Sequence, residues 1–174
     1  MHQGYAQNSP PKKKLSAETY LYWASEYHRK KIFDTAYFYY KMAANLNPAY
    51  EPKIIVLLDD LQQWKEIIKL AAPIVEKGGR NPTHLGPLYS AYKETGDSLN
   101  AEKTIQLLFH AKYDEYENDY RNYVISYYYL GKGEEQKSLD FLKKVKSVPL
   151  RQYARDSRKF SALFSNSDFL EITK

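Results

Sequence analysis

The chain has 174 residues, with 26 Lys and Arg against 21 Asp and Glu, a net charge of +5, and 43% hydrophobic content, enough to build one globular core. Cysteine is absent, which excludes disulfides, thiol catalysis and thiolate metal sites. The longest aliphatic run, Ile54 to Leu58, is far shorter than the roughly 20 residues that span a bilayer, so no membrane span is expected.

Residues 1 to 15 read as a disordered basic segment, because Asn8-Ser9-Pro10-Pro11 and Lys12 to Lys14 carry no apolar period. The apolar stretch of a signal peptide is missing, yet Gly4-Tyr5-Ala6 before Gln7 has the small-x-small form of a trimmed export site. That form leans localisation toward an extracytoplasmic, periplasmic compartment over a cytoplasmic one. Residues 16 to 174 read as a single helical-repeat domain. Helix pairs are expected at 17–30 with 33–46, 51–62 with 65–77, 83–95 with 98–112, and 116–130 with 134–147. One or two short helices follow between 151 and 172. Gly78 to Pro82 and Gly96-Asp97 read as turns, and no stretch keeps a strand period.

The pattern repeats. Tyr20, Trp23, Ala24 and Tyr27 are followed by Ala36, Tyr40, Ala43 and Pro48. Leu85, Leu88, Tyr89 and Tyr92 are followed by Gly96, Ala101, Ile105 and Leu108. Tyr120, Tyr123, Val124 and Tyr127 are followed by Ser138, Leu142 and Val145, with Lys132 and Gly133 as an insertion in the turn. Each first helix carries one apolar stripe that a single pair cannot bury, so pairs must stack. Ala24 and Ala36 are small where the two helices of the first pair must approach closely.

These residues resemble the tetratricopeptide repeat family, whose motif sets a large residue, Leu-Gly, Tyr, Ala, Phe, Ala and Pro along a helix-turn-helix unit. The match is specific in the unit from Ala17 and degenerate in the unit from 51, and the units begin near 17, 51, 82 and 117. The resemblance implies an all-α, right-handed α-solenoid of about four repeats. Phe160, Leu163 and Phe169 resemble the C-terminal capping segment of bacterial arrays of this family, here residues 150 to 174, covering Leu139, Leu142 and Val145 of the last repeat.

Motifs of chemistry are missing. Gly78-Gly79 and Gly131-Lys132-Gly133 are isolated turn glycines, and His2, His28, His84 and His110 lack metal-ligand spacing. Asp59-Asp60 and Glu134-Glu135 are helix neighbours that point apart, so neither makes a catalytic dyad. No catalytic residue, metal or cofactor is expected, and the protein reads as no enzyme.

Recognition is the better prospect. The resemblance places first-helix residues along a concave groove: Leu21, Ser25, His28 and Arg29, then Ile55, Asp59 and Gln62, then Ser90 and Lys93, then Arg121, Ile125 and Tyr128. An apolar floor of Leu21, Ile55 and Ile125 with Arg29, Lys93 and Arg121 nearby would suit a peptide carrying acidic residues. The paired Lys and Asn that grip a C-terminal carboxylate in some family members are not at these positions. The expected function is a protein-protein interaction scaffold that binds a peptide or protein partner. The alternatives are a structural subunit of a cell-envelope or secretion assembly and, more remotely, a single-stranded nucleic-acid binder using Tyr for stacking. The 18 Tyr fit either a repeat core or a sticky surface, and Tyr127, Tyr128 and Tyr129 cannot all face one core.

Overall fold

The computed structural model describes residues 15–174. Except for Leu15, the N-terminal segment read as disordered and basic lies outside the described residues. Among the described residues every regular element is helical and none is a strand. The elements are α1 (Ala17–Arg29), α2 (Phe33–Leu46), α3 (Glu51–Asp60), α4 (Trp64–Glu76), α5 (Pro82–Glu94), α6 (Ser98–His110), α7 (Glu115–Gly131), α8 (Glu135–Lys143), α9 (Val148–Asp156) and α10 (Ser167–Ile172). Short 3-10 segments cover Pro48–Tyr50 and Arg158–Leu163.

Polar side chains start many of these helices. Ser16 accepts the Thr19 N–H, Asn81 that of Thr83, Asp97 that of Asn100 and Asp114 that of Glu117. Each satisfies one donor that the first helical turn leaves without a partner. Five turns between consecutive helices then share one hydrogen-bond pattern, one of them the α4–α5 turn, where the Gly79 N–H reaches the Ile74 carbonyl at 2.9 Å behind Gly78 at φ 97°. In the others the N–H groups of Ile32, Gln63, Asp97 and Glu134 reach back to the carbonyls of Tyr27, Leu58, Tyr92 and Tyr129 at 2.8–3.0 Å. The residue before each of those donors is left-handed: Lys31, Gln62, Gly96 and Gly133 have φ of 59°, 58°, 81° and 77°. This is the six-to-one closure of a Schellman-type helix end, repeated in each. Gly133 therefore occupies the same place as Gly96, and the extra residues expected in that turn instead lengthen α7.

Two boundaries differ from expectation. Helix α8 stops at Lys143 rather than at 147 because Asp119 of α7 takes the next free donors, the Lys146 and Ser147 N–H groups, at 2.9 and 2.7 Å. Ser147 then caps α9, whose first turn holds Pro149, so the tail helices begin earlier than 151.

The fold divides into two compact units, the division falling after Ile54. In the first, α1 packs on α2. Ala24, Ala36 and Ala43 are wholly buried between them, as small side chains at a close crossing require. Beside them, the rings of Tyr20, Trp23 and Tyr27 surround Tyr39 at centroid distances of 6.1, 5.3 and 5.7 Å. In the second, α5 packs on α4, α6 and α7, and α7 packs on α8, α9 and the 3-10 segment of the tail. Its core includes Ile67, Leu85, Leu88, Ile105, Leu108, Val124 and Leu142. At Gly86 the α5 backbone meets α7 so closely that an added Cβ would sit 2.6 Å from Val124 Cγ2.

Candidate functional site

Within the second unit, the first helices α5 and α7 and the end of α3 present Asp59, Ser90 and a stripe of Tyr120, Tyr123 and Tyr127 to the C-terminal segment. The tail is fastened by its aromatics. Phe160 is wholly buried, with ring centroids 5.5 Å from Tyr123, 6.4 Å from Tyr127 and 5.8 Å from Phe169. Ser157 caps the 3-10 segment through the Lys159 N–H at 3.4 Å and meets the Tyr123 hydroxyl at 3.5 Å. Phe160 so anchored sends the preceding side chain, Lys159, into the helix face.

Lys159 Nζ forms an ion pair with Asp59 Oδ2. It also donates to Ser90 Oγ at 3.1 Å and stands 4.5 Å from the centroid of the Tyr127 ring. The Gly86 carbonyl accepts from Tyr127 Oη at 3.0 Å and from Ser90 Oγ at 3.2 Å, which leaves the Ser90 lone pairs to Lys159. Tyr153 of α9 donates to Asp60, the next residue of α3. Asp59 is only 4% exposed, and its second oxygen, Oδ1, has no hydrogen-bond donor among the described residues.

The electrostatics follow from burial. Loss of water pushes the Lys159 ammonium down, but the charge and hydrogen bond of Asp59, together with Tyr123 and Asp60, raise it on balance above its ordinary range. Burial, reinforced by the charge of Asp59, raises the phenols of Tyr120 and Tyr127. Around neutral pH the seat therefore holds the Lys159 cation beside neutral phenols.

The twelve residues expected along a groove fall into different environments. In the first unit Leu21 and His28 are half-buried, with His28 Nδ1 3.2 Å from Tyr40 Oη. Ser25 is exposed, and Arg29 pairs with its helix neighbour Glu26 at 2.8 Å. In the second unit Ile55 and Ile125 are wholly buried and belong to the core rather than to an accessible floor. Gln62 is the left-handed residue of a turn and, like Lys93, is exposed. Arg121 is half-buried, and its guanidinium donates to the carbonyls of Leu108 and Phe109 at 3.1 and 3.2 Å, closing the end of α6. Tyr128 is half-buried against Phe109, 5.7 Å away, and Tyr129 stacks on Phe141 at 5.4 Å. Only Asp59 and Ser90 of the twelve meet at one ligand-like group.

The residues that complete the seat, Lys159, Tyr127 and Tyr153, were not among those twelve. Tyr127 was legible as a core position, and Phe160 as an apolar anchor, but a single Lys in a basic chain carries no sequence signal. A depression elsewhere is lined by Leu107 and Ala111 with the exposed Arg80, Gln106, His110 and Lys112 around them, and Arg80 is already committed to the carbonyls of Val75 and Gly79. Among the described residues no cluster of His, Asp and Glu could hold a metal ion, and no helix is long and apolar enough to cross a membrane. No family model, no curated protein and no solved structure matches this chain.

Proposed function

We propose that the chain is a non-enzymatic protein-interaction module, a tetratricopeptide-type α-solenoid of about four helix pairs that binds a short segment of a protein partner on its first-helix face. The turns inside all four helix pairs close alike, which supports the repeat reading, since a repeated unit needs one repeated way to reverse the chain. One observation carries the binding reading. The face made by Asp59, Ser90 and Tyr127 already holds a segment with a basic residue next to an aromatic one, the chain's own Lys159-Phe160. A surface that seats such a segment in cis has the charge and aromatic pockets to seat one in trans.

The test uses the full chain with the tail loosened by Phe160→Ala and a fluorescent synthetic peptide of residues 153–164. Anisotropy should report saturable binding that Asp59→Asn abolishes. Absence of binding in a folded Phe160→Ala protein refutes the reading.

A further inference from the structure

The seat is not fully used by the group that occupies it. Asp59 is buried, one of its oxygens takes the Lys159 ammonium, and the other, Oδ1, has no donor among the described residues. A buried carboxylate oxygen without a donor is costly, and an ammonium is a compact point charge that does not form a fork across both oxygens. A guanidinium does: two parallel N–H groups match the two carboxylate oxygens, further N–H groups remain for Ser90 Oγ, and the flat cation can lie on the Tyr127 ring. The carbonyl of Gly86 already fixes both the Ser90 and Tyr127 hydroxyls, so the receptor side is preorganised.

We propose that Asp59, Ser90 and Tyr127 form a recognition pocket for an arginine side chain of a partner segment, with Lys159 as the occupant that the chain supplies itself. This rests on the reading that the face binds a segment in trans. The tail leaves part of the pocket unused because the cation it places there, with Phe160 seated between Tyr123 and Tyr127, is the compact ammonium of a lysine. A partner segment with arginine at that place would engage both oxygens of Asp59.

Two measurements decide it. In the full chain with Lys159→Ala, the emptied seat should be filled by propylguanidinium or propylammonium at matched ionic strength. Protection against thermal unfolding, relative to the same additions to the unmodified chain, should show the guanidinium binding about tenfold more tightly, one extra charge-assisted hydrogen bond. Adding Asp59→Asn should remove the effect. Equal or better protection by propylammonium, or none by either, overturns the proposal. Should Lys159→Ala fail to fold, the Phe160→Ala chain decides: the 153–164 peptide carrying Lys159→Arg must bind more tightly than the unmodified peptide, and equal or weaker binding overturns the proposal. If the peptides bind without preferring Arg, the pocket assignment falls and the trans-binding reading stands. If propylguanidinium protects selectively while no peptide binds, the chemical preference stands and the trans-binding reading falls.

Discussion

Tyr127 of α7 donates its phenol hydrogen to the Gly86 carbonyl of α5 at 3.0 Å, across a crossing where Gly86 has no room for a Cβ. The two residues depend on each other. A side chain at 86 would push α7 away, and Tyr127 would leave the Gly86 carbonyl that also holds Ser90 beneath Lys159.

Gly86→Ala should therefore destabilise the protein, although alanine is worth up to about 1 kcal/mol more than glycine in a helix interior. The new methyl would lie 2.6 Å from a branched Val124 atom in the core, which cannot swing aside. Overpacking of this kind costs about 1–3 kcal/mol, so the net loss should be on the order of 1 kcal/mol. Chemical denaturation measures it, and an unchanged or raised midpoint would show that the crossing has slack.

The Lys159–Asp59 pair should behave as a buried pair whose halves are worse apart than both removed. Removing one partner of a fully buried pair costs about 3–5 kcal/mol. Because the Lys159 side chain is 20% exposed, Lys159→Met should cost toward the lower end or somewhat less. The double change Lys159→Met with Asp59→Asn should be less destabilising than the sum of the two single changes. Strict additivity in a double-mutant cycle would mean that the two groups do not interact in solution.

Arg121→Glu should lower the melting temperature whatever it does to partner binding. Arg121 holds the last carbonyls of α6, where the helix dipole is negative. A carboxylate there loses two hydrogen bonds and gains a repulsion, which together cost about 1–3 kcal/mol. A variant as stable as the parent would place the arginine in solvent rather than on α6.

Stability should hold steady through neutral pH and decline above about pH 10. Burial raises the phenols of Tyr120, Tyr123 and Tyr127 well above 10.0, and that of Tyr113 to about 12. The folded state therefore favours the neutral phenols. Their contribution is complete below the unfolded value near 10 and is lost as pH rises from there through the folded values. Lys159, held up by Asp59, adds to the same loss, because its ammonium is favoured in the fold. Urea midpoints measured between about pH 8 and about pH 11 should fall at the alkaline end. A midpoint that stays flat or rises there would mean that the phenols are hydrated.

Helix positions were legible in the sequence because they are set locally. The turn at Gly96-Asp97 and the stripe through Tyr120, Val124 and Tyr127 act within one or two helical turns. Ala24 and Ala36 even marked their crossing, because a close approach demands small side chains. What each polar group does was settled only by tertiary structure. Lys159 and Asp59 lie 100 residues apart, and Arg121 reaches back 13 residues to Leu108. A charge on a helix stripe looks the same whether it faces water, closes a neighbouring helix or meets an ion in the core. The choice depends on which backbone the packing brings alongside, and here that was decided by Phe160 seating the tail against α7.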